Sequence, residues 1–276
     1  MPGAINIEPF RTEDIVPFLE LASAENWVAE PWEFEFLIAV FSQGCFTARG
    51  ENGKTAGFVT SIRHERSGWI GNLIVSAEYR GRKIGERLFT SAFEALRSSG
   101  VETFWLTASK SGQSLYEKYG FRSIDTIIRW VGTGRQRHTL NGCQNDKSIS
   151  NMIDIDQQAW GDRRAILLTE TAGRGRLVHD KSGFIVIQPA ATAQQLGPFS
   201  AFDSGSAERL FDDATTAVAF GTKILVDAPA SNRSSLRLFN RRKMKIAGSN
   251  SLMYAGKKPD YRPELIYGLA TMGSCG

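Results

Sequence analysis

The stretch Tyr79–Gly85, YRGRKIG, places three basic side chains and two glycines between an apolar run and a helical pattern. The run before it, Asn72–Val75, predicts the end of a β-strand. Behind it, apolar residues recur at the spacing of one buried helix face, namely at Ile84, Leu88, Phe89, Phe93 and Leu96. We therefore predict a strand, a basic turn and a helix in direct succession.

A turn of this composition can hold a phosphate group. Backbone N–H groups at the start of a helix point toward an anion, and the helix dipole strengthens the attraction. Gly81 and Gly85 let the backbone bend and approach a ligand closely, because neither carries a Cβ atom. Arg80, Arg82 and Lys83 supply charge for a polyanion. On these residues alone, a solvated surface turn ahead of an amphipathic helix is the alternative interpretation.

The composition is that of an ordinary globular protein. The 276 residues can form one large domain or two small ones. Apolar residues make up 42% of the chain and charged residues 22%, which excludes a disordered protein. The formal net charge of +4 is compatible with an anionic ligand but too small to indicate nucleic acid, so we expect no nucleic-acid partner.

The cysteines and the hydropathy pattern bear on the compartment. Cys45, Cys143 and Cys275 are odd in number, far apart and form no C-x-x-C pair, which predicts a reducing compartment and no metal site. The start of the chain lacks the basic leader and apolar core of a signal peptide. No run approaches the roughly 20 apolar residues that a membrane span needs. We expect a cytoplasmic monomer or homodimer with no membrane partner.

The hydrophobic periodicity predicts mixed strands and helices in the first half of the chain. The predicted elements are strand 4–9, helix 12–24, helix 33–42, strands 45–50 and 55–63, strand 68–75, helix 83–98, strand 102–108, helix 111–119 and strand 121–131. The segment 132–150 is polar and rich in Gly, Ser and Asn, which predicts a linker. This order indicates an α/β fold with a mixed α+β sheet.

The second half repeats part of this order. The predicted elements are a helix near 155–169, strand 183–188, a turn and helix within 196–219, strand 223–228 and a short helix after it. Segments 104–121 and 224–244 are alike, since each runs from a strand through a small-residue loop into a helix with leucine beside an aromatic residue. We interpret this as a weak duplication of about half the chain, with chance similarity as the alternative.

The stretch NLIVSAEYRGRKIGERL resembles the acyl-CoA-binding motif of the GNAT acyltransferase superfamily, Q/R-x-x-G-x-G/A. Arg80 takes the first position and Gly85 the last. Lys83 stands where the middle glycine usually sits, which puts one backbone contact to the pyrophosphate in question. The resemblance covers residues 4–131 in strand and helix order.

A second motif of the same superfamily, N-x-x-A-x-x-L-Y-x-K-x-G-F, is also matched. The matching residues are Leu115, Tyr116, Lys118, Gly120 and Phe121, while Ser109 replaces the asparagine and Gly112 the alanine. Either motif alone is weak, and together in this order they are specific. The resemblance therefore implies the GNAT fold and acetyl-CoA as the cosubstrate, with no metal.

The resemblance also implies roles for particular residues. In the superfamily the strand before the turn separates from its neighbour and its backbone pairs with pantetheine; the matching residues here are Leu73, Ile74 and Val75. The turn then holds the pyrophosphate of CoA, through Arg80, Gly81, Arg82, Lys83, Ile84 and Gly85. An amine attacks the thioester directly, and Tyr116 occupies the position that protonates the leaving sulfur, a task suited to a phenol of pKa about 10. The alternative for Tyr116 is an aromatic ring that packs under the helix.

The acceptor side is less defined. Trp27, Glu30 and Trp32 belong to the loop that borders the acceptor cleft in relatives, where they can contact substrate or cap the core. The strand GWIGNLIV carries no acid or histidine to deprotonate the amine. The candidate bases are Glu25, Glu30, Glu33, His64 and Glu65, each also readable as a surface charge, and water relayed to solvent is an equal alternative.

The second half resembles, more faintly, the degenerate acetyltransferase-like domain of tandem members of the superfamily. It lacks the basic turn, and Phe239 stands in place of the tyrosine, so we expect it not to bind CoA. We predict a catalytic domain at 1–135, a linker at 136–150 and a degenerate GNAT-like domain at 151–276. Residues 264–270 are strand-like and unassigned, so we expect the second half to pack on the first and contribute a strand.

These observations predict an N-acetyltransferase that transfers an acetyl group from acetyl-CoA to the primary amine of a small metabolite. One alternative is acetylation of a protein lysine or N-terminus. Another is a non-catalytic acyl-CoA-binding sensor or scaffold, which the lysine at position 83 and the missing base favour. Tyr116 argues against a sensor, because binding alone does not require a phenol at that position.

Overall fold

The computed structural model describes residues 4–51, 53–135 and 146–276. The chain divides into two compact units. Unit one contains the chain up to Leu106 together with Gly273–Cys275, and unit two contains Thr107–Met272 together with Gly276. The predicted domain boundary at residue 135 lies inside unit two. Most of the predicted linker, including Cys143, lies outside the described residues.

Unit one is built on a mixed sheet. Its elements in chain order are β1 (Ile5–Pro9), α1 (Ile15–Ala24), α2 (Pro31–Phe41), β2 (Phe46–Gly50), β3 (Thr55–Arg63), β4 (Ser67–Val75), α3 (Ile84–Ser98) and β5 (Thr103–Ala108). The strands follow one another in the order β1-β2-β3-β4-β5. The pairs are antiparallel as far as β4, and β4 pairs with β5 in parallel. The elements predicted here from periodicity are all present.

The core of unit one is rich in aromatic side chains. The rings of Phe10, Phe18, Phe34 and Phe58 form a buried cluster with centroid separations of 4.2 to 5.9 Å. Full burial of one such side chain contributes about 1.5–3 kcal/mol to folding. The predicted apolar face of α3 is buried as well, apart from Phe93, which is half-buried. This packing fixes α3, and hence the turn before it, against the sheet.

Unit two contains the remaining strands and helices of the described chain. Its elements in chain order are α4 (Gln113–Glu117), β6 (Arg122–Thr133), α5 (Asp146–Trp160), α6 (Ala165–Arg174), β7 (Arg176–His179), β8 (Gly183–Ala190), β9 (Ala193–Ala201), α7 (Ser204–Ala217), β10 (Lys223–Pro229), α8 (Arg233–Arg241), β11 (Lys245–Gly256) and β12 (Ile266–Gly268). The strand order is β11-β6-β10-β9-β8-β7, and β12 pairs with β9. The pair of β9 and β10 is parallel. None of the helices in the described ranges has the length and apolar content of a membrane span.

The predicted helix at 155–169 is two helices, α5 and α6. The chain turns between them at Gly161, whose φ of 71° is left-handed. The guanidinium of Arg164 holds the turn, because it donates to both carboxylate oxygens of buried Asp156, at 2.9 and 2.7 Å. Helix α5 also begins at Asp146, so the last residues of the predicted linker are helical.

The sequence patterns do not predict two strands of unit two. Strand β9 contains Gly197-Pro198, which predicts a turn, yet these residues lie at a bulge where they oppose Val186. A bulge is a position where proline is tolerated in a sheet. Strand β11 has a Gly- and Ser-rich sequence without alternation and is bordered by no clear turn signal. The expectation that residues 264–270 contribute a strand to the first half is corrected. These residues form only the short strand β12, which pairs with β9, whereas β6 pairs with β10 and β11.

Candidate active site

At two positions, the turn between β4 and α3 has a backbone conformation that favours glycine. Gly81 has a φ of 77°, and Lys83 has φ 58° and ψ 16°. The left-handed region costs a residue with a Cβ atom roughly 1–2 kcal/mol. Lys83 therefore keeps the backbone conformation that the motif's middle glycine would adopt. The departure from the motif changes the side chain and not the path of the chain.

The start of α3 offers unsatisfied backbone donors. Lys83 is the residue that precedes the first turn, and its side chain makes no capping hydrogen bond. The first N–H groups of a helix have no acceptor within the helix, so they are available to an anion. A Cβ atom built on Gly85 meets only Val75 Cγ2 at 3.5 Å, an ordinary contact. The fold itself therefore does not require glycine at position 85.

The basic side chains of the turn are exposed, and two of them have partners. Arg80 donates through Nε to the carbonyl oxygen of Val75 at 3.0 Å, and its Nη2 lies 2.5 Å from Oε1 of Glu25. The guanidinium of Arg82 lies 5.4 Å from the ring centroid of Tyr79. Arg80 is thus held by one backbone acceptor and one carboxylate.

Strand β4 leads into this turn with an irregular edge. Its parallel ladder with β5 runs from Ser67 to Trp69, and β4 continues beyond that point to Val75. On the other side, Gly71 opposes Thr60 and Ile74 opposes Phe58, so the strand carries a bulge between these pairs. Of the predicted pantetheine residues, Ile74 is buried, while Leu73 and Val75 are half-buried.

Sequence reasoning missed Asn72, which lies in this bulge. Its φ is 54°, a conformation that asparagine adopts more readily than most residues with a Cβ atom. A glycine inside a strand pattern is a signal for a bulge or a close backbone approach, and Gly71-Asn72 carried that signal.

Tyr116 lies in α4, within unit two. The phenol is buried, and its ring centroid lies 6.2 Å from that of Phe121. Burial raises the pKa of Tyr116 to about 12, because ionisation would place a charge in an apolar environment. The phenol therefore stays protonated at neutral and moderately alkaline pH. It is suited to donate a hydrogen bond and not to act as a base.

The predicted acceptor loop separates into exposed and buried parts. Trp27 is 43% exposed and offers its ring to solvent, together with Val28. Trp32 is buried against Phe36, with ring centroids 6.4 Å apart, so its ring belongs to the core. Glu30 precedes α2 and forms a reciprocal capping pair with Glu33, in which the backbone N–H of Glu30 donates to Glu33 Oε1 at 3.1 Å.

The candidate bases are engaged in structural contacts or lie at the surface. Glu25 pairs with Arg80, and Glu30 and Glu33 cap the start of α2. His64 is buried in the β3–β4 connection, and Glu65 beside it is exposed. Within residues 4–51, 53–135 and 146–276, no group of three or more His, Cys, Asp or Glu side chains is placed to hold a metal ion.

Family models match both halves of the chain. A model described as an acetyltransferase (GNAT) domain matches residues 42–123, and a second GNAT acetyltransferase model matches residues 152–268. Together they span more than half of the sequence. The chain belongs to the GNAT acetyltransferase family. It carries two GNAT domains in tandem, and members of this family use acetyl-CoA as cosubstrate.

Curated relatives of this GNAT chain are acetyltransferases by name. An N-alpha-acetyltransferase MAK3 from Arabidopsis thaliana is 29% identical over 148 residues, which are 50% of this chain and 77% of that protein. An uncharacterized N-acetyltransferase from Methanocaldococcus jannaschii is 26% identical over 110 residues, or 36% of this chain and 48% of that protein.

Solved structures share the fold over nearly the whole chain. A putative acetyltransferase from Pyrococcus horikoshii has a TM-score of 0.85 at 24% identity and covers 99% of this chain and 96% of its own. A GCN5-related N-acetyltransferase from Sphaerobacter thermophilus has a TM-score of 0.65 at 15% identity, covering 96% of this chain and 98% of its own. These similarities establish the tandem GNAT fold.

The two GNAT halves differ at the helix start where we predict the phosphate site of the first half. In unit two the start of α7 is capped by Asp203, whose carboxylate accepts from the N–H of Ser206 at 2.8 Å. A carboxylate at this point repels a phosphate, whereas the start of α3 is uncapped and flanked by cations. Phe239, the counterpart of Tyr116, is fully buried against Trp130 and Phe211.

Proposed function

We propose that this GNAT protein transfers the acetyl group of acetyl-CoA to a primary amine, and that the turn Arg80–Gly85 holds the pyrophosphate. The observation that carries the proposal is the space at Gly85. A Cβ atom there would meet nothing closer than Val75 Cγ2 at 3.5 Å, so the packing of the protein does not explain the glycine. A phosphate group brought against the N–H groups of the helix start explains why a small residue occupies this position.

In this proposal the other residues of the turn and of the preceding strand have separate roles. The left-handed backbone at Gly81 and Lys83 curls the chain around the start of α3. Arg80, Arg82 and Lys83 supply positive charge for the phosphates. Leu73, Ile74 and Val75 lie beyond the ladder with β5, and their backbone groups pair with pantetheine.

The chemistry is direct transfer. The amine nitrogen attacks the carbonyl carbon of the thioester, a C–N bond forms, the C–S bond breaks, and CoA leaves as a thiolate. Tyr116 donates its hydroxyl hydrogen to that sulfur, since burial keeps the phenol protonated with a pKa of about 12. The proton lost by the amine passes to solvent water, and a proton from solvent restores the Tyr116 hydroxyl. Of the candidate bases, Glu25, Glu30 and Glu33 are engaged in other contacts.

The second half has a supporting role in this account. Asp203 caps the start of α7 and Phe239 replaces the tyrosine, so the second half of the chain provides neither a phosphate cradle nor a second proton donor. We propose a single acetyl-CoA site per chain, formed at the turn before α3.

For the acceptor, we propose the primary amine of a small metabolite, approached beside the exposed ring of Trp27. One solved neighbour, described as a glucosamine N-acetyltransferase region of a fungal β-N-acetylglucosaminidase, covers 92% of this chain and 38% of its own at a TM-score of 0.68 and 14% identity. Its description supports a small-amine acceptor. The second candidate is the α-amine of a peptide, which the 29% identity to an N-alpha-acetyltransferase favours.

Acetyl-CoA turnover, measured as free thiol, tests the proposal. The acceptor panel contains amino sugars, polyamines, amino acids and peptides with free or blocked N-termini. We expect thiol release with a small primary amine and none with its N-acetylated form. Release only with peptides that have a free N-terminus would establish the second candidate. Tight acetyl-CoA binding without release toward any amine would indicate a sensor and contradict both.

A further inference from the structure

A short segment from the far end of the sequence belongs to unit one. Gly273–Cys275 is separated from the rest of that unit by the whole of unit two in sequence. Ser274 and Cys275 are 2% and 1% exposed, so the segment is fully buried. It lies against β4, at the bulge that precedes the proposed pantetheine residues.

Asn72 makes the principal contacts with this segment. Its backbone N–H donates to the carbonyl oxygen of Gly273 at 3.0 Å. Its side-chain Nδ2 donates to Oγ of Ser274 at 3.0 Å and to Oγ1 of Thr60 on β3 at 3.0 Å. The backbone of Asn72 is therefore bonded to the segment, and its side chain is bonded to both the segment and the neighbouring strand β3.

Gly71 shows how close the approach is. A Cβ atom at this position would lie 2.3 Å from the carbonyl oxygen of Ser274 and 2.4 Å from that of Gly273. Separations below about 3 Å do not occur between real atoms of this kind, so the glycine is required by the segment. In contrast to Gly85, the packing of the protein itself explains why no side chain is present.

The location of this contact gives it a functional consequence. A bulge bends a strand and redirects the groups that follow it. Asn72 is left-handed at the bulge, and Leu73, Ile74 and Val75 come directly after it. A buried hydrogen-bonding network that fixes Asn72 therefore sets the direction of the backbone groups proposed to pair with pantetheine.

We propose that Gly273–Cys275 is a positioning segment for the acetyl-transfer site: it locks the bulge at Asn72 and so aligns Leu73–Val75 with the thioester. The inference rests on the proposed function. The pyrophosphate is held separately, by the turn Arg80–Gly85, so loosening the bulge lowers kcat by a larger factor than it lowers the affinity for acetyl-CoA. The far end of the chain thereby becomes part of the transfer machinery.

Two substitutions test whether the segment fixes the bulge at Asn72. Ser274→Ala removes one hydroxyl that Asn72 donates to, and Asn72→Gly keeps the left-handed backbone while it deletes the side-chain amide. The matched control is Thr47→Ala, which deletes another buried hydroxyl of unit one, the one that donates to Asp14 Oδ2 at 2.9 Å. For each variant, the dissociation constant of acetyl-CoA is measured by calorimetry, kcat at saturating acetyl-CoA by thiol release, and the unfolding midpoint by heating.

We expect kcat to fall about 10- to 100-fold in Asn72→Gly, the scale that a small misplacement of reacting groups produces, and less in Ser274→Ala. The dissociation constant should rise by a much smaller factor than kcat falls, and Thr47→Ala should keep wild-type kcat. If Asn72→Gly does not fold, Ser274→Ala decides. Wild-type kcat in the folded variants, or equal losses of kcat in the control, would overturn the inference. A wild-type protein that binds no acetyl-CoA would instead remove the proposed function on which it rests.

Discussion

The guanidinium Nη2 of Arg80 lies 2.5 Å from the carboxylate Oε1 of Glu25, which follows the end of α1. This ion pair joins the proposed pyrophosphate turn to the loop that carries Trp27. Both side chains are substantially exposed, at 51% for Arg80 and 36% for Glu25, so the pair itself adds little to stability. Its consequence is for binding, because the Glu25 carboxylate competes with phosphate for the same guanidinium.

Glu25→Gln should therefore tighten acetyl-CoA binding. An exposed ion pair is worth about 0.2–1 kcal/mol, so the dissociation constant should fall by up to about fivefold. Arg80→Ala should weaken binding by about 1.5–3 kcal/mol, the value of a hydrogen bond to a charged group. Titration calorimetry measures both, with Glu20→Gln on the exposed face of α1 as the control. A weaker complex in Glu25→Gln would mean that the carboxylate orients Arg80 and does not compete with phosphate.

Lys83 offers a test on stability. Its left-handed backbone, with φ 58°, is unfavourable for any residue with a Cβ atom. Lys83→Gly should raise the free energy of unfolding by about 1 kcal/mol, because glycine adopts this region without that strain. Lys83→Ala retains the Cβ atom and should not stabilise the protein. Denaturant titrations of the two variants check the difference; an equal effect of both substitutions would show that the backbone at this position is not strained.

The buried phenol of Tyr116 makes a prediction about pH. With a pKa of about 12, the hydroxyl stays protonated from neutral pH to pH 10, so its donor capacity is constant over that range. Tyr116→Phe should lower kcat about 10²-fold, as loss of a general acid does, without changing the dissociation constant of acetyl-CoA. Tyr119→Phe is the control in the same part of the chain.

The ratio of wild-type to Tyr116→Phe kcat should also be the same at pH 7 and at pH 10. A ratio that falls toward one as the pH rises through 9 would show a phenol that ionises in that range. Equal kcat values at every pH would show that Tyr116 only packs beside Phe121.

The position of β6 bears on how much of the chain is needed. Within unit two, β6 pairs with β10 along one edge and with β11 along the other. A chain that ends at residue 135 contains β6 and neither neighbour, and unpaired strand edges promote aggregation. We expect such a fragment to be insoluble on expression. A soluble fragment of this length with full activity would show that residues beyond 135 are an independent appendage.

Local patterns predict the fold of unit one well. The strands and helices from β1 to β5 follow from their apolar residues, which lie on one face of α3 and along nearly the whole of β3 and β4, where consecutive residues are buried. Three features of unit two depend instead on contacts that the local pattern does not show. The Gly197-Pro198 pair is accommodated by a bulge opposite Val186, β11 lacks alternation and is paired with β6, and the α5–α6 turn depends on the Asp156–Arg164 pair.

The candidate site divides in the same way. The basic turn and Tyr116 are recognisable in the sequence, because their roles depend on residue type and local spacing. The partners of Asn72 at Gly273 and Ser274 are not recognisable in the sequence, because Ser274 lies 202 residues away from Asn72 along the chain. The engagement of Glu25 with Arg80 likewise requires the folded chain.

Calorimetric titration with acetyl-CoA tests the central claim, that the turn before α3 is the acetyl-CoA site. We expect one acetyl-CoA per wild-type chain. Gly85→Ala should fold with unchanged or slightly higher stability, since the added methyl group meets only an ordinary contact, and should still bind acetyl-CoA, since the motif admits alanine at this position. Gly85→Glu should abolish binding, whereas the control Gly173→Ala, at an exposed helical glycine of α6, should bind as wild type does. Wild-type affinity in Gly85→Glu, or two acetyl-CoA molecules per chain, would contradict the account.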